Sequence, residues 1–240
     1  MIKHLLTSLI QKRNPHFSFH PALSSSMIFW VVLEKSIAIF RGLKILLRAR
    51  NPKMMMLGKR VTFRFMNRFQ YGKAIRIDDN CYISAFGSDG IRMGNHVNIG
   101  AFSRIIVSTS MSAFGSFIKI GNNVGIGEFA YLGGAGGLTI GDECIIGQYF
   151  SCHPENHHFE NTAVSIRFQG VSHKGIVVGK NCWIGSKVTI LDGVTIGDNC
   201  VIAAGAVVTK SMPANSVIGG VPAKVLRMRI EDYEPLRRAV

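Results

Sequence analysis

One aliphatic or small residue returns every six positions between residues 178 and 214: Val178, Ile184, Ile190, Ile196, Ile202, Val208 and Ala214. A second rank four residues later is also apolar or small, at Cys182, Val188, Val194, Cys200 and Ala206, and glycine follows the first rank at Gly179, Gly185 and Gly197. A period of six fits neither a helix nor a long alternating strand, and it is a signature of β-helices, in which each repeat supplies one short strand and one turn. Glycine beside the buried position admits turn conformations that a Cβ disfavours.

The beat begins irregularly at Ile75 and Cys81, then Met93 and Ile99, breaks over 108–116, and settles at Ile120, Ile126 and Leu132. A glycine-rich run at 133–137 shifts its phase before Ile140, Ile146 and Cys152 resume it. Such a run invites a dinucleotide reading, but the alternating strands and helices that reading needs are not there. Between Cys152 and Ile176 the beat stops, and a long polar loop inside a repetitive scaffold is more often functional than idle. The expected organisation is a basic N-terminal segment, 1–73, followed by a β-helix domain, 74–240. The domain carries a protruding loop at 153–175 and a short basic tail containing Lys224, Arg227 and Arg229.

The charge divides unevenly along the chain. Residues 1–73 hold fourteen Lys and Arg against one acid, Glu34, whereas residues 74–240 hold fourteen against thirteen acids. The basicity therefore belongs to the leader, and the body lacks the basic stripe of a nucleic-acid binder. Residues 1–23 read as a loosely ordered lead-in. Ser24–Ser26 can cap a helix from about Met27 to Arg50, stopped at Asn51-Pro52. On it Glu34, Arg41, Lys44 and Arg48 share one face, while Trp30, Phe40 and several leucines cover the remainder, a pattern suited to a membrane interface or to capping the β-helix. Charges interrupt it too often for a span of about 20 apolar residues. No cleavable signal peptide is expected at the N-terminus.

Five cysteines, at 81, 144, 152, 182 and 200, form no CxxC pair and no zinc spacing. Cys182 and Cys200 should stack on neighbouring coils if three hexapeptides make one coil, and all five read as core-filling thiols. The chemistry is expected in the loop, which carries His153, Glu155, His157 and His158. Imidazole titrates near neutrality and can take a proton from a hydroxyl and return it to a leaving thiolate. Metal binding, with His173 as a further ligand, is the competing use of the same residues.

The ladder, the histidine loop, Trp183-Ile184-Gly185-Ser186, Ile202-Ala203-Ala204-Gly205, Val208-Thr209-Lys210 and Gly219-Gly220-Val221-Pro222-Ala223-Lys224 together resemble the hexapeptide-repeat acetyltransferases of maltose, galactoside and polysaccharide O-acetylation. The resemblance covers roughly residues 75–229. It implies an all-β fold, a left-handed parallel β-helix, here preceded by the amphipathic helix read from the leader, and a homotrimer with active sites between subunits. Acetyl-CoA would be the acyl donor, contacted by Ser186, Ala204, Thr209 and Lys210, with Lys224 and Arg227 neutralising its phosphates. The resemblance selects His157 as the base, through its distance from Cys152 and the Glu155-Asn156-His157 string, with His153 as second candidate and His158 as third. Trp183 is left outside the site as a core or interface aromatic.

The reading is an enzyme, an O-acetyltransferase acting on a sugar of a surface polysaccharide or its lipid-linked precursor by direct attack. It would be cytoplasmic and peripheral on the inner membrane face through residues 1–73, with no metal and no nucleic-acid partner. An N-acetyltransferase on an aminosugar and a metalloenzyme of the γ-carbonic-anhydrase kind are the alternatives.

Overall fold

The computed structural model describes residues 2–11, 15–112 and 114–229, and the chain forms two compact units, Met1–Pro52 and Lys53–Val240. Residues 230–240, which close the expected second domain, lie outside the described ones.

In the first unit, α1 (Ile2–Gln11) occupies much of the stretch expected to be loosely ordered. The Lys3 ammonium donates to the Leu23 carbonyl and the Gln11 side chain to the Phe17 carbonyl, so this lead-in folds back along itself. The second helix, α2 (Ser25–Gly42), starts as the sequence suggests: the Ser24 hydroxyl accepts from the Met27 N–H at 3.2 Å. It does not run as an α-helix to Arg50. After Gly42 it tightens to a 3₁₀ helix, Leu43–Arg48, and ends at Ala49 in the left-handed region. Its apolar side chains are exposed on more than one side, Phe40 to 74 % and Leu47 to 88 %. No described helix is long and apolar enough to cross a membrane.

The second unit is a left-handed parallel β-helix built on three sheets of nine, seven and six strands. Neighbouring strands of a sheet come from successive coils: Gly125 pairs with Ile145, Ile145 with Trp183 and Trp183 with Val201. From Val178 to Val208 both ranks of the ladder point into the prism, and Ile184, Ile190, Val188 and Cys200 are fully buried. All five cysteines are buried, and Cys144, Cys182 and Cys200 follow one another up a corner, each thiol donating to a carbonyl of the next coil. Burial pushes the Cys81 thiol up to about 11, out of the nucleophilic range.

Three features differ from the sequence expectation. The first coil starts at Met56 instead of after residue 73, with strands Met56–Leu57, Thr62–Arg64 and Phe69–Tyr71. It is filled by Met55, Leu57, Met66, Phe69 and Tyr71, large side chains that carry no aliphatic six-residue beat. The ladder also ends earlier: Ala214 is exposed, and Met212, bridged to Ile196, takes the inward place because the last coil is shorter. The basic tail, finally, is a strand, Ala223–Met228, folded antiparallel onto Ser216–Gly220.

The corners are turns whose second residue is left-handed. Asparagine, which tolerates this conformation, supplies Asn123, Asn181, Asn199 and Asn215 on one corner. Another corner puts Phe102, Phe129 and Tyr149 there, where a bulky residue costs roughly 1–2 kcal/mol. Their rings lie parallel within 4° at 5.0 and 4.9 Å, and stacking worth about 0.5–1.5 kcal/mol per pair offsets much of that cost. Gly185 is required by close approach: a Cβ would sit 2.5 Å from the Ala204 nitrogen of the next coil.

Candidate functional site

The loop expected to carry chemistry leaves the β-helix after strand Ser151–His153 and returns at strand Ile176–Val178. Its exit and return are anchored by groups that lack side-chain bulk or carry charge. Gly136 donates to the Pro154 carbonyl at 2.9 Å, and a Cβ on Gly136 would lie 2.5 Å from that oxygen. The glycine-rich run is thus the floor beneath the loop base. At the return, the Asp192 carboxylate accepts from the backbone N–H groups of Lys174 and Gly175.

Inside the loop, Asn156–His157 pairs antiparallel with Val171–Ser172, with His157 opposite Val171. This small hairpin turns His157 over a pocket of about 330 Å³. Three separate segments form its walls: 106–112 of the irregular patch, 131–135 with the glycine run, and 153–171 of the loop. His153 and His157 both line it; His158 does not, and is exposed. The His153 ring stacks on Tyr131 at 5.3 Å and 18°. Burial, and second the negative charge of Glu155, push the Tyr131 phenol above its usual range, while Arg104 acts in the opposite sense.

Glu155 is the carboxylate nearest in sequence to the candidate base. It lies instead 3.5 Å from Nε2 of His173, so it serves the loop return and not His157. Among the described residues, the histidines do not converge with other His, Cys, Asp or Glu side chains into a set of three that could hold a metal ion.

The expected cofactor-contacting residues fall on two corners and the last strand. Strand Ser151–His153 is followed in its sheet by Thr189–Leu191 and then Val207–Val208, so Thr209 and Lys210 emerge on the same corner as His153. Two strand spacings put them roughly 10 Å further along the axis. Ser186 and Ala204 stack on a different corner, where the Gly205 N–H donates to the Ser186 carbonyl and the Ser186 hydroxyl to Gln148. None of the four lines the histidine pocket. Lys224 and Arg227 are exposed on the final strand. Trp183 is 59 % exposed, so it is not a core residue. Reading the sequence missed Tyr131, Arg167 and the 108–112 wall. The break in the beat at 108–116 was the one signal pointing to that wall.

The bacterial transferase hexapeptide (six repeats) family model matches residues 175–210, within the β-helix. The chain is 39% identical to galactoside O-acetyltransferase of Escherichia coli over 119 residues, 48% of this chain and 56% of that protein. It is 29% identical over 156 residues to the putative lipopolysaccharide biosynthesis O-acetyl transferase WbbJ of the same organism, covering 62% of this chain and 79% of that one. The match thus spans little more than half of the galactoside enzyme's length. Among solved structures, a mutant of AntD, an N-acyltransferase from Bacillus cereus, shares the fold, with a TM-score of 0.56 at 20% identity over 72% of this chain and 86% of that one.

Proposed function

We propose that this chain is an acetyl-CoA-dependent O-acetyltransferase that acetylates a sugar hydroxyl of a surface polysaccharide or its lipid-linked precursor. The observation that carries the reading is the pocket on the histidine corner, with His157 held over it by its own hairpin and Thr209-Lys210 further along the same edge. It is supported by similarity to the galactoside and putative lipopolysaccharide O-acetyltransferases. His157 takes the proton of the acceptor hydroxyl as its oxygen attacks the thioester carbonyl. The C–S bond then breaks and the sulfur leaves as the thiol, receiving the proton from the same imidazole. No covalent protein intermediate is required, and every cysteine is buried.

The residues present suit the donor. Ala203, Ala204 and Gly205 leave a corner of nearly bare, exposed backbone against which an amide-bearing pantetheine arm can lie, and Lys224 and Arg227 offer exposed cations for phosphates. Because Ser186 and Ala204 stand on a different corner from His157, a site using both sets is completed by a neighbouring copy, which favours a homotrimer with shared sites. Lys224→Ala combined with Arg227→Ala should raise KM for acetyl-CoA about tenfold or more, through lost charge-assisted hydrogen bonds, with kcat little changed. Acetyl-pantetheine, which lacks the nucleotide phosphates, should be used equally well by variant and wild type. Equal losses on both donors would remove these residues from the phosphate site.

An amino group would present its proton to the same imidazole over the same pocket, so an aminosugar acceptor is the second reading. Paired hydroxyl and amino sugars in the same assay separate the two.

The basic leader suits an acceptor at the cytoplasmic face of an anionic membrane, with exposed Trp30, Phe40 and Leu47 entering the interface. Phe40→Asp with Leu47→Asp should lower co-flotation with phosphatidylglycerol vesicles by about tenfold or more, from the apolar area no longer inserted. Unchanged flotation would leave the leader without a membrane role.

A further inference from the structure

The lining of the histidine pocket contains one permanent cation among the described residues, Arg167, and no lysine. Arg167 sits in the 3₁₀ turn Ile166–Phe168, within the part of the loop most remote from the β-helix in sequence. That turn is held from within. The Gln169 carboxamide donates to the carbonyls of Asn161 and Val164 at 2.9 and 2.7 Å and accepts from the Asn161 N–H, and Phe168 N–H donates to the Ser165 carbonyl. The Gln169 side chain ties the turn shut and so fixes the backbone that carries Arg167.

Among the described residues, no carboxylate neutralises this guanidinium. The three described ion pairs are Arg76 with Asp78, His173 with Glu155 and Lys180 with Asp198, and the carboxylate that shares the pocket, Glu155, is the one facing His173. The same pocket is lined by the 108–112 wall, whose Ser108, Thr109, Ser110 and Ser112 are polar and uncharged. Its hydroxyls are organised by the chain itself: the Ser110 N–H donates to the Ser108 hydroxyl and the Ser112 N–H to the Ser110 hydroxyl. A neutral sugar would be served by such hydroxyls alone. An arginine added to them supplies a planar fork of donors that matches a carboxylate or phosphate.

We propose that the acceptor is an anionic sugar, carrying a phosphate or a carboxylate close to the acetylated hydroxyl, and that Arg167 binds that group while His157 faces the hydroxyl. The inference rests on reading this pocket as the acceptor site of an acetyltransferase. At about 330 Å³ the pocket is at the small end of ligand sites, sized for one sugar ring and its substituent.

The test is an equilibrium titration, followed by NMR, of the full chain with three matched probes: methyl glucoside, methyl glucuronide and glucose 1-phosphate. Coenzyme A is titrated as a separate arm. At least one anionic probe should bind about tenfold or more tightly than the neutral glucoside. Arg167→Gln should weaken that probe by about ten- to a hundredfold, the usual worth of a charge-assisted pair, and leave the glucoside unchanged. Arg167→Lys should recover part of the loss, and the probe that responds tells carboxylate from phosphate. Coenzyme A binding without any preference for charge, or equal weakening of all probes in Arg167→Gln, overturns the inference and leaves the acetyltransferase reading standing. Charge preference through Arg167 without coenzyme A binding keeps the anion site and removes the acetyltransferase reading.

Discussion

His157→Ala should lower acetyl transfer by about 10²–10⁴-fold, the range that a positioned general base contributes. The loss should fall on kcat and kcat/KM alike, because the imidazole takes a proton in the transition state and is not needed to hold either substrate. His153→Ala should cost less. The His153 ring is stacked on Tyr131 and its strand is paired on both sides, with Leu191 opposite it, so its substitution alters the pocket wall. His157, by contrast, lies on a two-residue strand paired on one side only and lines the pocket. An active His157→Ala together with an inactive His153→Ala would exchange the two roles. Both side chains are exposed, so a change in folding should not obscure the comparison.

The largest stability effect is expected from Ile190→Ala. Ile190 is fully buried and stacks in register between Cys152 below and Val208 above, in the sheet that carries His153 and leads into Thr209. Its neighbours are fixed by backbone hydrogen bonds between coils and cannot collapse into the space left, so about 2–5 kcal/mol should be lost. For a unit of this size, a loss of about 3 kcal/mol corresponds to roughly 6–12 °C in Tm. Val177→Ala removes an outward-facing side chain, 44 % exposed, and should change stability by about 0.5 kcal/mol or less. Scanning calorimetry at one fixed protein concentration measures both. Comparable losses at the two positions would contradict the inward ladder.

The sequence made the fold legible wherever one residue type had to recur. Ile184, Ile190, Ile196 and Ile202 could be placed from their spacing alone, because each coil offers the same inward position. The same argument paired Cys182 with Cys200, and the structure extends that stack to Cys144. It failed where volume could be filled in other ways. Met55, Phe69 and Tyr71 close the first coil with large side chains, and no beat announces them. Helix α1 does carry a helical apolar period in Ile2, Leu5, Leu6, Leu9 and Ile10, and the expectation of a loose lead-in gave Pro15 and Pro21 more weight than that period.

The site was legible only in part. A loop of histidines interrupting a ladder is visible as a string of letters, and so is the phase shift at the glycine run. That the run lies beneath the loop base is not visible, since Gly136 and Pro154 meet only because adjacent coils stack. Arg167 belongs to an exposed, aperiodic segment, where a charged residue carries no positional signal. Motif matching grouped Ser186 and Ala204 with Thr209 and Lys210, whereas the fold separates the pairs onto two corners. One-dimensional spacing reports phase within a coil, and corners of neighbouring coils differ by phase alone.

The most direct measurement of the central claim is thiol release from acetyl-CoA by the purified chain, with and without a panel of neutral, anionic and amino sugars, and with the acetylated product identified by mass spectrometry. The account expects release that depends on the acceptor, an acetyl ester on a sugar hydroxyl, and loss of both in His157→Ala. Acetyl-CoA that is neither bound nor cleaved with any acceptor would contradict it.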